Sequence, residues 1–427
     1  MGQDSKTAGK LKGQITRWVN WITRDLSKPT RRWVREMVYG IQAAEDVKLS
    51  NIARSLDDRI GLIEIEHRLS RQTSSRDRSE LLNELLSWWG SGGVGEDTVL
   101  GLDIGDLQKR YGKKMEYLAE VRDGSTGEIG KGYWMLHVIG AEVEGERVLP
   151  LYQTLYSQES EGWESENAEM LRAIRTVGRH VEKRGIWTID RGGDRPVIYN
   201  HLLGNGLRFV IRVEGRRHLS RPSGEKVGVK ELGRRCRMVE RHSVRVEVEG
   251  KRVKGSVSLG ALRVRLPWRK EWLWLVVVKG ALPGQGNDPI LLLTNMRVLP
   301  KGGNLRRILD IYLTRWKCEE SWRFVKQAYG LEDVRVRSYA GLRNLVALVG
   351  LVFYFVSVEL GRKLKLKFLL KRIYEKAQRF YEVPVFKAYA IADGIHKLLF
   401  AYRGRLAFPP LAHATGQLLL HFESLPP

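Results

Sequence analysis

Between Asn304 and Gly330 the chain reads NLRRILDIYLTRWKCEESWRFVKQAYG. It contains four side chains suited to phosphate chemistry: Tyr312, Arg315, Glu319 and Lys326. Apolar residues recur at helical spacing (Leu305, Ile308, Leu309, Tyr312, Trp316) and no proline or glycine interrupts them. One long helix is therefore expected. At about 100° per residue the four side chains fall within an arc of about 60° on that helix. One face would then present a phenol, a guanidinium, a carboxylate and an ammonium. The carboxylate can ligate a metal, the two cations can hold phosphates, and the phenol can stack or donate a hydrogen bond. Taken alone, Arg315 and Glu319 are also an ordinary i,i+4 ion pair on a solvated face.

Two acidic residues upstream end apolar strands. The run from Thr98 to Asp103 is strand-like and closes on a carboxylate, where burial is unfavourable unless a cation pairs with it. Asp106 competes with it, with a turn-capping role as its plainer reading. The run Gly185-Ile-Trp-Thr-Ile-Asp190 repeats the arrangement, followed by Arg191-Gly-Gly-Asp194, a tight turn in which backbone can approach a ligand. Asp194 reads as the N-cap of the next helix, with Pro196 in its first turn.

These segments sit within a wider order. Residues 1–95 read as helical, with Trp18, Trp21, Ile22, Trp33, Met37 and Ile41 near helical spacing. Lys48 to Leu56 has the look of the first part of a helix-turn-helix. Basic residues are interleaved there: Arg24, Arg31, Arg32, Arg35, Arg54, Arg68 and Arg71. Ser91 to Gly95 marks a boundary. After the strand at 98–103 come strand-like runs from Met115 to Val121 and from Tyr133 to Val143, then a helix within 162–184. The strand at 185–190, a helix from about Pro196 and a strand from Leu207 to Val213 follow. The interval before Glu319 is too long for a simple link. It holds further strand signals: Ser243 to Glu249, Gly255 to Leu266, Trp272 to Lys279 and Ile290 to Thr294. Leu345 to Leu360 reads as a buried helix, and Lys363 to Arg379 as a basic amphipathic one.

Tyr312-x2-Arg315-x3-Glu319-x6-Lys326 resembles the Tyr-Arg-Glu-Lys signature of bacterial insertion-sequence transposases of the DDE superfamily. Leu102, Asp103, Asp106 and Lys109 resemble that family's first-strand pattern. The resemblance implies an α/β fold with an RNase H-like mixed-sheet core, an inserted β-domain, and helical regions at both ends. It implies Asp103, Asp190 and Glu319 as catalytic metal ligands, with Asp106 as second choice for the first. Arg315 and Lys326 would contact DNA phosphates, Tyr312 would contact a phosphate or pack, and two Mg²⁺ ions, replaceable by Mn²⁺, would be the cofactors. Some family members open a strand of the insert with a tryptophan that stacks on a flipped base. The matching run here is Ile290-Leu-Leu-Leu-Thr294, which lacks it; Trp268, Trp272 and Trp274 are the candidates to substitute, with core packing as their competing role.

Composition agrees with a polyanionic partner. Lys and Arg outnumber Asp and Glu by 73 to 49, a net charge of +24 over 427 residues. The excess is spread along the chain, as in a protein that wraps its partner. Two cysteines, Cys236 and Cys318, support neither a disulfide framework nor a zinc site. The first residues lack the apolar core of a signal peptide, so a cytoplasmic location is expected, nucleoid-associated when DNA-bound, with no membrane.

The expected organisation is a helical DNA-end recognition region at 1–95, the first part of the core at 96–213, and an inserted β-rich domain at 214–300. The second part of the core at 301–360 and a basic helical region at 361–427 complete it. The expected function is a metal-dependent DNA transposase, cutting its element's ends and joining them to target DNA, as a homodimer on paired ends of double-stranded DNA. The alternatives are an inactive or domesticated copy that only binds DNA, and an RNase H-like nuclease without strand transfer.

Overall fold

The computed structural model describes residues 2–56, 58–109, 112, 114–124, 126–248, 251–280, 289–299, 303–376 and 386–402. The sequence readings that extend to Arg379 and over 403–427 therefore fall partly outside the described residues. The first 95 residues form five helices: α1 (Gly2–Ile22), α2 (Lys28–Ala44), α3 (Leu49–Ser55), α4 (Leu62–Ser74) and α5 (Ser79–Ser91). Then come β1 (Val99–Gln108), β2 (Ala119–Arg122), β3 (Ile129–Ala141), β4 (Val148–Tyr156), α6 (Glu166–Val181), β5 (Ile186–Ile189), α7 (Pro196–Gly204) and β6 (Arg208–Arg212). The next segment holds β7 (His218–Ser220), β8 (Lys226–Gly228), α8 (Val229–Arg235), β9 (Glu240–Val248), β10 (Lys251–Val264), β11 (Leu273–Gly280) and β12 (Ile290–Thr294). Last are α9 (Leu305–Thr314), α10 (Trp316–Ala328), α11 (Tyr339–Tyr354), α12 (Arg362–Lys376) and α13 (Ala388–Ala401).

One large mixed sheet carries the molecule, in the order β2-β3-β1-β5-β6-β12-β11-β10-β9, with β4 also paired to β3. β1, β5 and β6 run parallel; the other pairings are antiparallel. The five strands β4-β3-β1-β5-β6, with α6 and α7 between the later ones, have the strand and helix order of the expected RNase H-like core. The strand taking the third place differs from the sequence reading. It is β4, whereas Met115 to Val121 yields only the short β2, paired to the first part of β3. β4 contains Pro150, which demotes a run as a strand candidate. The sheet accommodates Pro150 at an irregularity, where pairing with β3 shifts register between Val138 and Ile139. Strands β9–β12 add onto β6 through β12, so the 240–294 segment extends this same sheet.

The sheet's two faces bury different elements. Leu100, Leu102, Trp187, Ile189, Phe209 and Ile211 pack beneath α6 and α7. Val99, Ile186, Val210, Val276 and Leu292 pack beneath α9 through Leu305, Ile308 and Leu309. The amino-terminal helices share a core with α10, α11 and α13. Tyr339–Glu359 is apolar and long enough to cross a membrane, yet 83% of its most apolar stretch is buried inside the fold, as expected of a core helix.

The expected single helix from Asn304 to Gly330 is two helices with a joint at Arg315. Here the Arg315 N–H donates to the Tyr312 carbonyl at 3.1 Å, and the Cys318 N–H to the Arg315 carbonyl at 2.8 Å. These i,i+3 bonds tighten the chain, and the Thr314 hydroxyl, donating to the Asp310 carbonyl at 2.7 Å, favours a bend.

Beyond that joint, α10 lies against β1 because Gly101 leaves room for Cys318, while Gly105 faces the Trp322 indole. A Cβ on Gly101 would stand 2.4 Å from Cys318 Sγ, and one on Gly105 3.5 Å from the Trp322 indole. Gly101, Asp103 and Gly105 alternate along β1 and so share one face. Gly101→Ala should therefore lower stability by about 1–3 kcal/mol, the usual range for overpacking. Adding Cys318→Ala should recover part of that loss. Urea unfolding of the single and double variants tests this; strict additivity would show that the two side chains do not meet.

Candidate active site

Parallel pairing brings the two strand-end aspartates together. β1 and β5 run in register up to Leu102 opposite Ile189, and the next residues are Asp103 and Asp190. Adjacent strands lie about 4.8 Å apart. Asp190 is held by its own turn, its Oδ1 accepting from the Gly192 N–H at 2.7 Å. Glu319 arrives from α10 on the glycine-lined face of β1.

Arg315 joins these acids. Its guanidinium donates to Asp103 Oδ1 at 3.3 Å and to Glu319 Oε1 at 2.8 Å, with its side chain 11% exposed. The carboxylates hold it firmly charged, although burial works against that charge. Asp103 is pushed up to about 7: desolvation is the main cause, Arg315 opposes it, and the negative charges of Asp190 and Glu319 add to it. One guanidinium thus bridges two of the carboxylates while Asp190 adds a third negative charge near Asp103, and the site remains short of positive charge.

Lys326 lies three turns further along and pairs elsewhere. Its Nζ is 3.6 Å from Asp106 Oδ2 and 3.6 Å from Glu332 Oε1. Asp106 also accepts from the Gly124 N–H at 3.2 Å. The two aspartates that compete in the sequence are therefore separated: Asp103 meets Arg315 and the other acids, and Asp106 meets Lys326. Lys109 donates to the Glu332 and Val334 carbonyls and ties the end of β1 to the chain after α10. Burial lowers it to about 8. Tyr312 is 4% exposed and packs in the core under α9, its ring 5.9 Å from Arg315 Cζ.

A neutral wall backs the carboxylates. His137 lies across from Asp103 on β3 and stacks on Trp322, with ring centroids 3.9 Å apart. Burial, helped by Arg315, lowers His137 to about 3, so it adds no positive charge.

Several features were not read from the sequence. The alternation Gly101-x-Asp103-x-Gly105 was a visible signal for a helix lying on the acid's face. Trp316 is 51% exposed and stands three residues before Glu319, on the same side of α10. Asp194 is not the N-cap of α7; that place is taken by Arg195, without a side-chain bond. Instead the buried Asp194 carboxylate accepts from the Tyr199 hydroxyl at 3.0 Å and the Glu214 N–H at 2.7 Å, and pairs with Arg217. It anchors the turn after Asp190 to the segment after β6. Of the tryptophans named as substitutes, Trp268 lies half-exposed under Arg217, Trp272 under Arg263 and Arg265, and Trp274 packs against the core.

In the amino-terminal helices Arg32 and Arg68 are tied to Glu36 and Asp58, and Arg35 is buried. Arg24, Arg54 and Arg71 face solvent. In the segment after β6, Arg216, Lys226, Lys230, Arg234 and Arg235 are exposed, while Arg217 is engaged with Asp194.

Among the described residues no three acidic, histidine or cysteine groups stand close enough to hold an ion as they are. Arg315 sits where a cation would bridge Asp103 and Glu319. The donor set nonetheless fits a hard divalent ion: three carboxylates, all oxygen donors, with a deficit of positive charge that leaves Asp103 hard to ionise.

Residues 154–355 match the family model described as transposase DDE domain. The matched stretch contains Asp190, Tyr312, Arg315, Glu319 and Lys326, and begins after Asp103. No curated protein matches the chain. Among solved structures, the chain is similar to piggyBac transposase in the cryo-EM structure of its synaptic complex with hairpin DNA. The identity is 11% and the TM-score 0.38, over 71% of this chain and 52% of that one. This chain thus matches about half the length of that structure's chain.

The raised Asp103 pKa predicts a pH effect on the metal-free protein. A carboxyl whose pKa rises on folding from about 3.9 to about 7 favours the folded state fully below the lower value. That contribution is lost as pH climbs through the upper one. Wild type in a chelating buffer should lose stability between pH 5 and pH 8 relative to Asp103→Asn, by at most about 3 kcal/mol. Denaturant unfolding across that range checks this, and parallel pH profiles for the two proteins would refute it.

Proposed function

We propose that the chain is a DNA transposase that cuts DNA at its element's ends and joins those ends to target DNA. The observation that carries this reading is that three distant segments bring Asp190 beside Asp103 and Glu319 to the same site, with one buried arginine bridging Asp103 and Glu319. The transposase DDE-domain match over 154–355 supports it, as does the net charge of +24.

In this reading Asp103, Asp190 and Glu319 hold two divalent ions, Mg²⁺ or Mn²⁺. When bound, these supply Lewis-acid stabilisation of the attacking and leaving oxygens in an in-line displacement. The protein's own groups do the rest. Arg315 and Lys326 grip the backbone phosphates beside the scissile bond, where their charge offsets developing negative charge. Tyr312 supports the Arg315 guanidinium from below. His137 and Trp322 keep the wall behind Asp103 neutral and dry, so that positive charge enters only from the open side. Trp316, exposed one turn before Glu319, stacks on a base near the cut. The amino-terminal helices recognise the element's ends, the exposed basic residues after β6 track the backbone, and two copies act on paired ends.

The test is a cleavage assay with Mg²⁺ or Mn²⁺ and double-stranded DNA carrying the gene's own flanking sequences. Wild type should cut at the ends, and Asp190→Asn and Glu319→Gln should not. Tight binding with no metal-dependent cutting by any version would replace this reading with that of a DNA-binding protein.

Two further variants grade the roles. Lys326→Ala should slow cutting by about 10²–10³-fold, the usual effect of removing one charge-stabilising donor. Trp316→Ala should slow it about tenfold, within the range for one base stack. Unchanged rates in single-turnover cleavage would remove either residue from the site.

A further inference from the structure

Arg315 occupies an unusual place for a phosphate-binding side chain. Its two terminal nitrogens are spent on Asp103 and Glu319, at 3.3 Å and 2.8 Å, and its Nε is buried without a partner. It stands at the joint between α9 and α10, a position whose backbone is not locked into one continuous helix. The ligands it engages are the ones a metal would need.

We propose that Arg315 is a place-holding cation: its bridge between Asp103 and Glu319 and a divalent ion on those same carboxylates exclude each other, and a DNA phosphate releases the bridge. This rests on the reading of Asp103, Asp190 and Glu319 as metal ligands. Without the bridge, three carboxylates would face one another with no counter-charge. With it, the metal-free chain is held together but its ligands are occupied. A guanidinium matches a phosphate as well as it matches a carboxylate, in the same two-pronged geometry. DNA lying over the site offers Arg315 a second anion, and turning toward it frees Asp103 and Glu319. Metal and DNA then favour each other's binding by the same factor, as any coupled pair of sites must. The chain would hold its ions tightly only on DNA.

The experiment measures Mn²⁺ affinity of the full chain by the electron paramagnetic resonance signal of free Mn²⁺, with thermal shift as a second readout. Wild type, Arg315→Gln and Glu319→Gln are each measured with and without a duplex carrying the gene's flanking ends. Wild type should bind Mn²⁺ about tenfold more tightly with the duplex than without it, within the usual range of coupling between sites. Arg315→Gln should bind Mn²⁺ about tenfold more tightly than wild type when DNA is absent, and the duplex should then add little. If Arg315→Gln does not fold, Arg315→Lys carries the same test, with a smaller gain, because an ammonium cannot span both carboxylates.

Arg315→Gln affinity equal to or below wild type without DNA, while Glu319→Gln weakens binding, would overturn the place-holder and leave the metal site standing. Mn²⁺ binding unchanged in Glu319→Gln would overturn both, because the ion would then lie elsewhere.

Discussion

Asp190 and Glu319 add their negative charge to that of Asp103, which is largely shielded from water, so the three can share a site only if positive charge lies among them. Arg315 supplies it. The surrounding structure serves this contact. Gly101 leaves β1 without a side chain beside Asp103, so that α10 can come close enough for Arg315 and Glu319 to reach it. Parallel pairing of β1 with β5 sets Asp190 alongside. The Trp322–His137 stack closes the far side with groups that bring no charge. A larger residue at position 101 would lift the helix and separate Asp103 from the Arg315 guanidinium.

A second layer repeats the logic further along the same two elements. Asp106 with Lys326, and Lys109 with the Glu332 and Val334 carbonyls, fasten the end of β1 to the end of α10. Gly330, at φ 58°, turns the chain in the left-handed region directly after that helix, which brings Glu332 and Val334 back toward β1. Arg315 and Lys326 thus each take one aspartate of β1, Asp103 and Asp106 respectively. Both cations rest on carboxylates in the DNA-free chain.

The helices and added strands hold this pair of elements in place. Strands β9–β12 complete the face that receives α9, and α9 delivers the joint at which Arg315 sits. On the other face, Arg217 clasps Asp194 and stacks on Tyr199 and Trp268. The turn after Asp190 is thereby tied to strands distant in sequence, and Asp190 cannot shift independently of them. The amino-terminal helices pack with α10, α11 and α13 in one core, so the helix bearing Glu319 is braced from behind.

Much of this was legible in the chain itself. Strand-terminal acids after apolar runs, helical periodicity before Glu319 and the strand-strand-strand-helix-strand-helix-strand order are local patterns, and local patterns survive folding. They sufficed for the α/β class and for Asp103, Asp190 and Glu319 as candidates. Asp103 was preferred to Asp106 only through the resemblance, because both lie on one strand and the difference is which cation reaches each. β4 was missed because Pro150 argues against a strand unless a partner accommodates its bulge, and that partner, β3, is known only from pairing. The helix joint at Arg315 was missed because it breaks no residue pattern. The sequence by itself determined which side chains could hold charge and in what order they come. Only the tertiary structure decided which charges meet, because ion pairing in a shielded site depends on distances between segments more than a hundred residues apart.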